Sequence, residues 1–192
     1  MSDESPHIGL FGGSFNPPHI CHTLATHWVL QTHPVDEVWW IPTYQHAFSK
    51  DLVEFEHRTR MCQMALADLD RVRISDVERE LGGESRTIDT VRALKEQFED
   101  YRFSLVVGTD ILEETRRWKN WDGLMELVDL IVIGRSGHTA DGDPESAEFR
   151  LPDISSTDTR RALEAGDYKR LEFWLSREVI AYVAEHRLYL DT

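Results

Sequence analysis

Gly9-Leu10-Phe11-Gly12-Gly13-Ser14-Phe15-Asn16-Pro17-Pro18-His19-Ile20-Cys21-His22 is the stretch on which the fold turns. An apolar run, His7 to Gly12, ends in paired glycines, which let a backbone approach a ligand closely. A short loop then reaches Pro17-Pro18, whose fixed φ suits a helix start, where a missing N–H costs nothing. The first turn of the helix predicted from Ile20 to Gln31 presents free N–H groups and the positive end of its dipole, a natural seat for phosphate. His19 and His22 stand three residues apart and share one face of that turn. Two imidazoles there can donate hydrogen bonds to phosphate oxygens as charge grows in a transition state. The bland alternatives stay open: α/β folds use the same entry without a ligand, and the histidine pair also suits the surface or half of a metal site.

Working outward, the apolar runs are short, often β-branched, and separated by helical patterns. Glu37 to Pro42, Val72 to Ser75, Phe103 to Gly108 and Leu130 to Gly134 join His7 to Gly12 as predicted buried strands. Between them, Ile20 to Gln31, His57 to Asp68, Thr87 to Phe98 and Ile111 to Trp118 carry apolar residues three and four apart. This alternation predicts an α/β protein, a Rossmann-like doubly wound parallel sheet with helices on both faces, and ligands beyond the carboxyl ends of its strands. Ser136 to Glu148 is polar and aperiodic and reads as a mobile surface loop. A short extended piece (Phe149 to Pro152) and two helices follow, Ser156 to Ala165 and Arg177 to His186, with Gly166 as a stop and Ser176 as an N-cap. No repeat or domain boundary interrupts the 192 residues, so one domain is expected to span 1–192.

Composition narrows the function. A net charge of −14 argues against a general nucleic-acid binder, which needs a basic surface to displace counterions. No apolar run approaches the roughly 18 residues of a membrane span, and Met1 to Pro6 has no signal-peptide character. Two cysteines, Cys21 and Cys62, make no disulfide framework, which points to a reducing cytoplasm. An acidic protein can still hold a polyphosphate where a few donors converge.

Ile154-Ser155-Ser156-Thr157-Asp158-Thr159-Arg160-Arg161 supplies such donors. Ser155 and Asp158 have the spacing of a capping box, so a helix starts here whatever its use. Three consecutive hydroxyls, free N–H groups and the guanidinium of Arg160 together suit the β- and γ-phosphates of a nucleotide.

Gly12 to His22 is similar to the G-G-T-F-D-P-x-H-x-G-H signature of the nucleotidyltransferases, and Ile154 to Arg160 is similar to their I-S-S-T-x-x-R signature. Further segments resemble the nicotinate/nicotinamide mononucleotide adenylyltransferase branch: Thr87 to Val91, Val107 to Asp110 with Trp118, Ile133 to Arg135, and Val179 to Val183 with Leu188-Tyr189. Two places depart from the pattern. Cys21 stands where the family has glycine, and Pro42 to Lys50 lacks the family's P-P-H-[KR]. Each match has a plain alternative too: Thr87 as an N-cap, Asp89 as a first-turn acid, Asp110 as a cap, and Trp118 as a packing aromatic.

The resemblance implies transfer of an adenylyl group from ATP, carried with Mg2+, to nicotinate mononucleotide or its nicotinamide counterpart, with release of pyrophosphate. On it, His19, His22 and Arg160 are the catalytic residues. Gly12, Gly13, Ser14, Phe15, Lys50, Ile154, Ser155, Ser156 and Thr157 hold ATP, with His46 a weaker candidate. Thr87, Asp89, Gly108, Asp110, Trp118 and Arg135 contact the acceptor, and no residue is assigned as a dedicated metal ligand. The alternatives are another adenylyl- or cytidylyltransferase of the superfamily and a non-catalytic ATP-binding module.

Overall fold

A computed structural model describes residues 5–45, 52–109, 118–135 and 149–190, with the side chain of Arg135 outside that description. The strands are β1 (His7–Gly13), β2 (Glu37–Pro42), β3 (Val72–Ile74), β4 (Arg102–Gly108), β5 (Asp129–Arg135) and β6 (Arg150–Leu151). All pair in parallel, in the order β3-β2-β1-β4-β5-β6. This is the doubly wound order expected when right-handed crossovers run outward from a central pair, here β1 and β4.

The period of two along each strand divides the apolar residues between the faces. Val38 and Trp40 pack with Ala25 and Val29 of α1 (Ile20–Thr32) and with Cys62 of α2 (Phe55–Ala65). Trp39 and Ile41 pack on the other face with Ile88, Val91 and Leu94 of α4 (Thr87–Gln97). A third cluster joins Met61 of α2 to α6 (Ser156–Glu164), α7 (Tyr168–Trp174) and α8 (Arg177–Glu185) through Ala162, Leu163, Leu171, Val179, Val183 and Tyr189. The C-terminal helices therefore fold back against α2 at the sheet's periphery.

Three short helices escape the sequence reading: α3 (Val77–Leu81), α5 (Trp121–Met125) and α7. The first two have five residues each, too few to display a helical period. For α7, Gly166 (φ 65°) ends α6 in the left-handed region as expected, and Asp167 at once caps a new helix by accepting from the Arg170 N–H. The α4 helix begins at Thr87 as expected, but its N-cap is Arg86, without a side-chain capping bond, and not Thr87. The α2 helix runs Phe55–Ala65, earlier at both ends than expected. Most of the helix predicted from Ile111 to Trp118 and the loop predicted from Ser136 to Glu148 lie outside the described residues. None of the described helices is long and apolar enough to cross a membrane.

Arg58, on α2 and 1% exposed, fixes the turn that enters the site. Its Nε donates to the Val53 carbonyl at 2.7 Å, its Nη1 to Ser14 O at 2.9 Å, and its Nη2 to Tyr44 O at 3.5 Å. Only a guanidinium fans donors in one plane to three carbonyls. Arg58→Met should lower unfolding free energy by about 3 kcal/mol, because it strands buried carbonyls as well as losing charged bonds. Arg58→Lys should restore only a minor part, and urea unfolding checks both.

Candidate active site

A cavity of about 660 Å³ opens beyond the carboxyl ends of the strands and takes in the ends of β1, β2, β4 and β5. That volume is ordinary for a small-molecule site. Phe11 to Ser14 of the β1 end and Leu105 to Gly108 of β4 line its middle, flanked by Ile41 of β2 and Ile133 of β5. The sheet reverses its winding between β1 and β4, so their loops part and leave this crevice. At Gly12 a Cβ would meet nothing within 4 Å, so the missing side chain leaves the strand end open to a ligand.

His19 and His22 both line the cavity, but their relation to α1 is more specific than two neighbours in a first turn. His19 is the N-cap itself, in extended backbone at φ −141°, and Ile20 is the first helical residue. The His19 N–H donates to His22 Nδ1 at 3.0 Å, the back half of a capping box with imidazole in place of carboxylate. Nδ1 is thereby an acceptor, so the ring hydrogen sits on Nε2, which can only donate. Phe11, Phe15 and Trp40 surround that ring with centroids 5.9, 4.9 and 5.8 Å away and hold its orientation.

Phe15 itself does not line the cavity. It is fully buried, with its ring stacked on Trp40 at 4.5 Å and 5°. Its φ of 45° is a left-handed conformation that costs a non-glycine residue about 1–3 kcal/mol. Stacking and burial hold it there, and the turn it makes carries the chain from β1 to the prolines.

The second motif docks onto this same turn. Ser155 caps α6 by accepting from the Asp158 N–H at 3.1 Å, and Asp158 reaches back to the Ser155 N–H at 3.3 Å. Ser155 and Ser156 line the cavity, and Ser156 Oγ donates to Pro17 O at 3.0 Å. Arg160 stands just off it, with Nη1 on Asn16 O at 2.8 Å and Nη2 on Thr157 Oγ1 at 3.2 Å. Ile154 and Thr157 are likewise not among the lining residues. Cys21 lines the cavity, and its thiol donates to Pro152 O at 3.5 Å, so it also joins α1 to this segment.

At the other end of the cavity stand Thr87, Gly108 and Trp118. Asp89 lies off it, its carboxylate paired with Lys119 Nζ at 2.8 Å. Lys50, His46 and Asp110 fall outside the described residues, as does the side chain of Arg135. Motif reading missed Glu78, Ser85, Arg86 and Lys119, which also line this end. No local pattern marks them, because tertiary packing alone brings α3 and the turn before α4 to the cavity.

Glu78 is the most enclosed of these. Its Oε2 accepts from the Tyr44 N–H at 3.1 Å and its Oε1 from Thr90 Oγ1 at 3.2 Å, and Ser85 also bonds to it. Burial pushes its carboxyl above the ordinary carboxylate range, while those bonds and the charge of Arg58 pull the other way. With the folded pKa raised, this group's stabilisation is full below the unfolded value and is lost as pH rises through the folded one. The parent should therefore gain stability relative to Glu78→Gln as pH falls from neutral into the carboxylate range. Urea unfolding of both proteins at pH 7 and pH 5 checks the sign, and a parent that loses stability relative to Glu78→Gln on acidification contradicts it.

Comparison with known proteins agrees with this architecture. The cytidylyltransferase-like family model matches residues 10–162. A "Probable nicotinate-nucleotide adenylyltransferase" of Anaeromyxobacter dehalogenans (strain 2CP-C) is 43% identical over 186 residues, 95% of this chain and 96% of that protein. A protein of the same name from Myxococcus xanthus (strain DK1622) is 38% identical over 183 residues, 95% of this chain and 94% of its own length. Among solved structures, the nicotinic acid mononucleotide adenylyltransferase of Plasmodium falciparum, complexed with NaAD, superimposes with a TM-score of 0.80 over 96% of this chain and 97% of that one. At 21% identity that likeness speaks for the fold. The family model and the two relatives together place the chain: it belongs to the cytidylyltransferase-like family, among the nicotinate-nucleotide adenylyltransferases.

Proposed function

We propose that this chain, acting as one nucleotidyltransferase domain, transfers the adenylyl group of ATP to nicotinate mononucleotide, forming the dinucleotide and pyrophosphate. The observation that carries the reading is convergence on one cavity of the His22 imidazole and the Ser155-Ser156 helix start with Thr87 and Trp118 opposite. One end suits a polyphosphate and the other a flat ring. The acceptor's phosphate is already anionic, so in-line attack on the α-phosphorus needs positioning and charge stabilisation more than a base. His22 Nε2–H donates to the α-phosphate oxygen on which charge develops, and His19 stands beside it. Ser155 and Ser156, with the N–H groups of the first turn of α6, hold the β- and γ-phosphates, and Arg160 steadies the turn that faces them.

ATP enters as its magnesium complex, and the ion counts as part of the substrate. An ion carried in by a nucleotide takes most of its ligands from the phosphates and water. The acidic net charge supports a small-molecule site over a nucleic-acid surface. A reducing cytoplasm suits the two buried free thiols.

Pyrophosphate release from magnesium-ATP, with nicotinate mononucleotide and nicotinamide mononucleotide supplied separately, tests the reaction. Release with the nicotinate acceptor is expected, and silence with both from folded, ATP-binding protein would refute it. His22→Ala should lower kcat about a hundred- to a thousandfold, the usual loss for one transition-state donor. A folded variant that keeps near-parental turnover would remove His22 from the mechanism.

A further inference from the structure

We propose that Lys119 is the residue that selects a carboxylate over a carboxamide on the pyridine ring of the acceptor. The inference rests on the reaction just proposed and concerns the same site. Nicotinate and nicotinamide differ at one ring substituent, an anion against a neutral group bearing two donors. Preference for the anion is met by N–H donors or by a positive charge at the ring end, the charge being the stronger discriminator, and by an unfavourable setting for the amide.

Among the described residues, the arginine and lysine side chains lining the cavity are Arg86 and Lys119. Arg86 is drawn toward Glu84, which does not line this cavity, by an ion pair at 2.5 Å. Lys119 immediately follows Trp118 on the wall, and its Nζ meets Asp89 Oδ2 at 2.8 Å. Asp89 is the third residue of α4 and Thr87 the first, so the pair fixes the ammonium beside the turn that presents Thr87. With side chains 53% and 38% exposed, such a pair is weak, so the ammonium can turn from Asp89 toward an incoming anion at little cost. An ammonium has three donors and Asp89 engages one, which leaves two for an incoming carboxylate.

Glu78 is the carboxylate on this part of the wall, and it opposes an anion. Its oxygens are occupied by the Tyr44 N–H, Thr90 and Ser85, so it is a poor acceptor for a carboxamide as well. Arg58 offsets part of its charge, and Lys119 gives the ring substituent a donor that a neutral amide uses less well.

The test compares kcat/KM for the two mononucleotides, with magnesium-ATP, in the full chain and in Lys119→Met and Lys119→Arg. The parent is expected to prefer the nicotinate acceptor. Lys119→Met should lower the ratio of the two kcat/KM values about ten- to a hundredfold, the worth of one charge-assisted hydrogen bond. Lys119→Arg should keep most of the preference. An unchanged ratio in Lys119→Met, an equal loss in Lys119→Arg, or a parent without preference overturns the assignment. No release with either acceptor from folded parent refutes the adenylylation reading itself and takes this inference with it.

Discussion

The carbonyl oxygens of Ser14, Asn16 and Pro17 cannot join the sheet, because the chain has already left β1, yet they are turned toward the interior. Buried carbonyls need donors, and this need organises the structure. Arg58 supplies Ser14, Arg160 supplies Asn16, and Ser156 supplies Pro17. The Asn16 side chain extends the network by accepting from the Tyr189 hydroxyl at 2.8 Å and the Val53 N–H at 3.3 Å. Burial pushes the Tyr189 phenol above its ordinary pKa, while the Arg160 and Arg58 charges pull it down, and it remains a donor. One short turn thus gathers α2, α6 and the residues after α8.

This arrangement explains why two motifs at opposite ends of the chain form one site. Ser156 and Arg160 read in isolation as phosphate-binding groups, but part of their hydrogen bonding is spent on the loop that carries the first motif. The observed contacts are architectural: they tie the start of α6 to the loop after β1. The capping bond between His19 and His22 works alike: it completes the start of α1 and also fixes which imidazole nitrogen carries the hydrogen.

Much of the fold was legible because its signals are local. The β1 run, the glycines, the prolines and the histidines lie within one stretch, and the strands announce themselves as short apolar runs between helical periods. The capping box at Ser155 and the cap at Ser176 follow from spacing alone and are present in the structure. What was hidden has no local signature. α3 and α5 are each shorter than two helical turns, and Glu78, Arg86 and Lys119 reach the cavity only because α4 packs on the face of β2 that carries Trp39 and Ile41. Phe15 shows the converse. It stands within the glycine-rich motif, yet its ring serves the core, and its contribution to the candidate site is the bend in its backbone.

The bond from Tyr189 to Asn16 links positions 173 residues apart, and it has a consequence for how the protein is made. A ribosome releases β1 and its loop early, but the donor for Asn16 emerges only after the whole sheet has been synthesised. Until then Asn16 Oδ1 has the Val53 N–H as its partner within the protein, and the tie to the residues after α8 is missing. The strands thus precede one of the contacts that hold the loop after β1, and that loop gains its full set of donors only once Tyr189 has left the exit tunnel.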